Sequence, residues 1–84
     1  MRLKKAVVSS KLGGEVFLYD GDDDAVHILN PSAGLILDAH LQGRTVEEIA
    51  RALREAYFVE PDRDLRTEIR RFIERMERKE ILVS

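Results

Sequence analysis

The stretch DAVHILNPSAGLILDAHLQGRTVEEI, residues 24–49, decides the fold. It opens on a short apolar run, Ala25 to Leu29, and breaks at Asn30-Pro31. That pair marks a helix start. An Asn side chain accepts a bond from an otherwise unpaired helix N–H, and Pro suits the first helical position because it has no N–H to leave unpaired. The helical pattern then runs to Gln42 and stops at Gly43. A second helix begins at once. Thr45-Val46-Glu47-Glu48 is a capping box, in which the Thr45 hydroxyl and the Glu48 carboxylate each serve the other residue's backbone N–H. One strand therefore feeds directly into two helices joined by a very short turn.

Toward the N-terminus, Leu3 to Ser9 reads as a first strand and Lys11-Leu12-Gly13-Gly14 as a turn. Glu15 to Tyr19 is a second strand, rich in β-formers. The polar connection Asp20 to Asp24 contains an Asp-Gly pair that favours a tight turn, so the strands on either side of it form a hairpin. Residues 25–29 are the third strand.

Toward the C-terminus, the first helix covers about 31–42, with Ala33, Ile36, Leu37 and Leu41 on one face. The second covers about 46–57, with Val46, Ile49, Ala50, Leu53 and Tyr57 as its inner stripe. Pro61 separates it from a third helix over about 62–79, because the residue before a proline avoids helical angles. The stripe of the third helix is Leu65, Ile69, Phe72, Ile73 and Met76. Ile81-Leu82-Val83 reads as a terminal extended piece over the core. The fold class is α+β: a three-stranded antiparallel sheet followed by three helices.

Eighty-four residues are expected to make one domain, 1–84, with a modest core that buries roughly 60–65% of the unfolded surface. There is no cysteine, which excludes disulfides, thiolate metal sites and cysteine nucleophiles. No apolar run reaches 18 residues, so no membrane span is expected. Behind Arg2, Lys4 and Lys5 the apolar run is only Ala6-Val7-Val8, too short for a signal peptide, and the expected location is cytoplasmic. Fourteen basic and 16 acidic residues give a formal charge of −2. Nucleic-acid binders carry a basic excess or patch. The mixed signs here suit a protein or peptide partner.

Candidate chemistry is sparse. Asp20, Asp22 and Asp24 copy the spacing of the first calcium-loop ligands, but Ala25 stands where the loop needs Gly and Pro31 where it needs a bidentate Glu. A solvated hairpin tip is the better reading. His27 and His40 have no metal-ligand spacing between them. The serines lack a nucleophile-elbow context, and no glycine-rich phosphate loop exists. Catalytic residues, metal ligands and cofactors are accordingly all expected to be absent.

The third helix interleaves Arg66, Arg70, Arg71, Arg75, Arg78 and Lys79 with Glu68, Glu74, Glu77 and Glu80. Most of these read as a self-paired solvated face, as in Glu74 with Arg78 at i,i+4. At 100° per residue, Arg66, Arg70, Ile73 and Glu77 line one flank of the apolar stripe, and Glu68, Arg75 and Lys79 line the other. Ile73 widens the stripe toward the first flank. It reads either as plain core or as the border of a groove.

Three parts of the chain now add up: the order of three strands and three helices; the junction Leu29-Asn30-Pro31-Ser32-Ala33 followed by Gly43-Arg44-Thr45-Val46-Glu47-Glu48-Ile49; and the ending Glu68-Ile69, Phe72-Ile73, Met76, Ile81-Leu82. Together they resemble the PqqD-like family, whose domain is also called the RiPP recognition element (RiPPs are ribosomally made, post-translationally modified peptides). The resemblance covers nearly the whole chain. It departs from the family at Glu68, often Asp there, and at Glu80, often the glycine that stops the helix.

The resemblance implies a small winged helix-turn-helix-like domain that acts as a peptide chaperone. It would bind the leader of a precursor peptide and present it to a modifying enzyme, such as a radical-SAM protein or a leader peptidase. In the family the leader adds as a strand beside the third strand and lies against the third helix. Carried over, the peptide-binding residues are Val26, His27, Ile28 and Leu29 with Arg66, Arg70, Ile73 and Glu77.

Elementary physics is consistent with this. An edge strand offers a row of unpaired N–H and C=O groups, an extended peptide can pair with them, and side-chain pockets select its sequence. Each backbone bond contributes about 0.5–1.5 kcal/mol net. A few such bonds and two or three buried side chains reach roughly micromolar binding, about −8 kcal/mol, after association costs. The same free edge allows a weak or domain-swapped homodimer. The competing readings are a winged-helix nucleic-acid binder, disfavoured by the charge balance and the acidic hairpin tip, and a structural interaction module.

Overall fold

The computed structural model describes all of residues 1–84. Its three-stranded sheet is built from two hairpins. Gly13 and Gly14 both have positive φ, 59° and 83°, the left-handed pair that a two-residue type I′ turn requires. They join β2 (Val7–Leu12) to β3 (Glu15–Asp20). The second hairpin joins β3 to β4 (Ala25–Leu29). The order is β2-β3-β4, all antiparallel, with Val7 opposite Asp20 on one side and Val16 opposite Leu29 on the other. β4 therefore has one paired edge and one free edge.

The first strand expected at residues 3–9 is in fact two. β1 (Arg2–Leu3) pairs with the terminal β5 (Leu82–Val83), and only from Val7 does the chain join the main sheet. The corner is made at Lys4. Its N–H donates to the Ile81 carbonyl, and its own carbonyl accepts from the Val7 N–H, both at 2.9 Å. Its ammonium reaches the buried Asp20 carboxylate at 2.9 Å. These three contacts turn the chain out of one sheet and into the other.

Three helices follow. In α1 (Pro31–Leu41), the Asn30 side chain accepts from the Ala33 N–H at 2.9 Å, and Pro31 occupies the first turn. In α2 (Val46–Ala56), both halves of the capping box are present: the Thr45 N–H donates to Glu48 at 2.9 Å and the Glu48 N–H to the Thr45 hydroxyl at 3.1 Å. α3 (Leu65–Arg78) starts later than 62 because Asp64 takes the N-cap, accepting from the Thr67 N–H at 3.2 Å. Its end does without glycine. Glu80 itself adopts φ 57°, the Ile81 N–H donates to the Met76 carbonyl at 3.0 Å, and the Glu80 N–H to the Glu77 carbonyl at 2.9 Å. That bond pair is a Schellman stop with a carboxylate side chain in the glycine position.

The helices cover one face of the sheet. Val7, Val16, Leu18 and Leu29 meet Ile36, Leu37, Ile49, Leu53, Leu65, Ile69, Phe72, Ile73 and Met76, closed at the end by Ile81 and Leu82. Tyr57, expected on the inner stripe, is instead the extended C-cap of α2 and is exposed. α1 sits so close to β3 that a Cβ on Gly34 would lie 2.6 Å from Val16 Cγ2.

Candidate functional site

The free edge of β4 can be read group by group. In an antiparallel ladder, successive residues turn their N–H and C=O alternately to one neighbour and then the other. The Gly21 N–H donates to the Ala6 carbonyl at 2.9 Å, so Gly21 faces the β2 side. By alternation Tyr19, Phe17 and Glu15 do too, as the bond closing the Gly13-Gly14 turn requires. Val16, Leu18 and Asp20 then face β4 and engage their partners Leu29, His27 and Ala25. The backbone groups left pointing outward belong to Val26 and Ile28.

Beneath this edge lies a groove of about 490 Å³ between β4 and α3. Its floor is Ala33, Phe72 and Met76, and its far rim is Arg75 and Lys79. The Arg75 guanidinium stands 5.7 Å from the centre of the Phe72 ring. The groove continues past the end of β4. Asn30, Ala33, Phe72 and Arg75 also line a second hollow of about 520 Å³, walled by Leu53, Val59, Leu65 and Ile69. Phe58, 93% exposed, stands at its margin. Glu68 holds Arg63 there, with Nε to Oε2 at 3.1 Å. That contact pushes the Glu68 carboxyl below its ordinary range. The two hollows form one channel, apolar below and charged at the rim, with room for several side chains of an extended chain.

Of the eight residues expected to bind peptide, Val26, His27, Ile28 and Leu29 all line the groove. Arg66, Arg70, Ile73 and Glu77 do not. Their flank of α3 turns toward α2, where Arg66 meets Glu47 at 3.4 Å, and Ile73 is core. The flank beside β4 is the other one, with Phe72, Arg75, Met76 and Lys79. Both flanks carry Arg and Glu, so charge pattern could not separate them; the direction in which α3 crosses the sheet does. Within β4 the side chains also divide. His27 and Leu29 point toward the helices, whereas Val26 and Ile28 stand on the opposite face, each 58% exposed. The acidic triplet is used internally: Asp20 and Asp22 hold Lys4, and Asp24 accepts from the Tyr19 hydroxyl at 2.8 Å.

These features define a class: a small α+β domain of winged helix-turn-helix plan with an open strand edge above an apolar, helix-lined channel. The chain belongs to the PqqD family, whose family model, described as coenzyme PQQ synthesis protein D, matches residues 15–82. Two solved structures share the fold over nearly their whole length. One is TbiB1 in complex with the TbiA(beta) leader peptide, 27% identical with a TM-score of 0.79, covering 98% of this chain and 94% of that one. The other is a lasso peptide synthetase B1 complexed with the leader peptide, 23% identical with a TM-score of 0.84, covering 99% and 96%. No curated protein sequence gives a significant match.

Proposed function

We propose that the protein is a peptide chaperone of ribosomal peptide modification. It binds the leader of a precursor peptide as an added strand on β4 and presents that precursor to a modifying enzyme, such as a radical-SAM protein or a leader peptidase. The observation that carries this is the free β4 edge, with Val26 and Ile28 unpaired above a channel floored by Phe72 and Met76. Backbone pairing supplies affinity and the channel supplies selection. The likeness to TbiB1, seen with a leader peptide bound, supports the reading. Residues 1–84 act as one peptide-binding unit in the cytoplasm, and the enzyme partner does the chemistry.

Calorimetry with synthetic leader peptides, chosen from short precursor reading frames found near the gene, tests it. The expected dissociation constant is roughly micromolar, with the mass of the peptide unchanged after incubation with this protein alone. No leader binding, together with DNA binding that falls steeply with salt, would return the domain to the winged-helix nucleic-acid class.

A further inference from the structure

Phe58 stands almost wholly in water, although the chain on both sides of it is anchored. The Tyr57 N–H donates to the Leu53 carbonyl at 2.9 Å and closes the last turn of α2. Val59 packs against the core. Further on, the Arg54 guanidinium donates to the Arg63 carbonyl at 3.3 Å, and the Arg63 side chain is held by Glu68. The backbone between α2 and α3 is thus tied down, and the phenyl ring is left free to turn about its own side-chain bonds. A single exposed apolar residue is ordinary on a protein surface. What sets Phe58 apart is its place. It borders the open hollow walled by Leu53, Val59, Leu65 and Ile69, and leaves it unfilled.

A strand added to β4 turns every second side chain toward the helices, in step with His27 and Leu29. Along α3 the channel runs from Lys79 back to Leu65, about 21 Å of helix. An extended chain covers that length in about six residues, so it presents three side chains to the channel. Two of them lie opposite His27 and Leu29, over Ala33, Phe72 and Met76. The third falls two residues beyond Leu29, where β4 has ended and the hollow beside Phe58 opens.

We propose that this third position of the peptide is a large apolar side chain, and that Phe58 closes over it as a specificity-determining residue. The inference rests on the reading of β4 as the peptide edge. Asn30, Ala33, Phe72 and Arg75 line both hollows, so the second continues the peptide groove and is not a separate surface. Glu68 already takes Arg63 at the rim, and the walls behind them are apolar. A charged side chain would give up its water there for little return. The free protein gains nothing from the exposed ring. In the complex the ring and the peptide side chain leave water together, which is how a few aromatic contacts come to dominate binding. Removing the ring therefore weakens binding and leaves the fold as stable as before.

The chain has no tryptophan, so Phe58→Trp supplies a single reporter. The probes are the synthetic leader peptides of the calorimetric test, with any tryptophan of their own changed to phenylalanine. The indole should emit as a solvated one in the free protein, then shift to shorter wavelength and resist acrylamide quenching at saturating leader. Phe58→Ala should melt with the parent and bind leader about tenfold more weakly, whereas Phe58→Tyr should bind within about twofold. In an aspartate scan of the leader, one position should cost the parent heavily and cost the Phe58→Ala variant much less, because both changes remove one contact. Unchanged emission on binding, Phe58→Ala affinity within about twofold of the parent, or additive losses at every scanned position overturns the proposal. So does a Phe58→Ala variant that keeps leader affinity and slows only processing, which would assign the ring to another partner. Failure of the parent to bind any leader sinks the chaperone reading instead, so the two failures are distinguishable.

Discussion

Asp20 is the one charged side chain in the core, 1% exposed, and Lys4 is its partner at the corner between the two sheets. The Lys4 ammonium, then the backbone N–H groups of Asp22 and Asp23, hold the Asp20 carboxyl below its ordinary range against the opposing effect of burial. Lys4 is raised in turn, chiefly by the same bond. A depressed carboxylate stabilises the fold above its unfolded value near 4 and loses that contribution as pH falls through the lower folded value. A raised lysine contributes everywhere below its ordinary value of about 10.4 and loses it only above that. The pair is thus at full strength between about pH 5 and 10. Asp20→Asn should melt below the parent at pH 7, and the gap should narrow by pH 3. Calorimetry at the two pH values checks this; an unchanged gap would mean that the carboxylate charge is not what matters. The sequence reading placed Asp20 in a solvated tip. Its burial was legible only by extending the inward alternation of Val16 and Leu18 one residue further than the β-forming run itself goes.

Elements were legible where their ends have specific chemistry. Asn30-Pro31 and Thr45 with Glu48 fixed two helix starts because a capping side chain binds within its own turn, which sequence spacing encodes. The start of α3 was drawn early because it was taken directly after Pro61, whereas Asp64, three residues on, is the side chain that caps the helix. Glu80 stops a helix against its own preference, because Ile81 and Leu82 must enter the core. The edge of β4 carries the sharpest expectation at this scale. As neighbours on one strand, His27 and Ile28 send their N–H groups in opposite directions, and the Gly21–Ala6 bond shows which is which. His27→Pro deletes a bond to Leu18 and should unfold the domain or strongly destabilise it. Ile28→Pro deletes an outward N–H, so it should keep a native circular dichroism spectrum while losing leader affinity at least tenfold. A well-folded Ile28→Pro variant that bound leader as tightly as the parent would rule out pairing along this edge.

At the scale of the whole molecule, the two layers are set by how closely α1 approaches β3. Gly34→Ala should gain about 1 kcal/mol of helix propensity. The new methyl group would sit 2.6 Å from Val16 Cγ2, on a stiff side chain that is itself buried, and relieving that contact costs about 1–3 kcal/mol. The net expectation is a destabilisation of about 1 kcal/mol. Val16→Ala should cost less in the Gly34→Ala background than in the parent, as a double-mutant cycle of thermal melts would reveal. Additive effects would show that the layers part elsewhere. The order of the layers was readable from the sequence, but their closest contact was not. A lone glycine in a helical pattern does not say which residue of another element it must clear. The split of the first strand was hidden for a similar reason: only the return of Ile81 and Leu82 beside Leu3 gives Lys4 a corner to turn.

Because β4 offers outward groups at Val26 and Ile28 alone, a strand held there has few positions open to it. A slide of one residue would carry its channel-facing side chains to the opposite face, so shifts come in pairs of residues, about 6.8 Å at a time. On the strand-addition reading proposed above, the edge would work as a notched ruler. One residue inserted within the gripped segment cannot be absorbed by a compensating slide. One inserted beyond it simply moves everything downstream by a single residue's length. A domain that holds a leader in this way would fix which downstream position of a flexible chain reaches a catalyst.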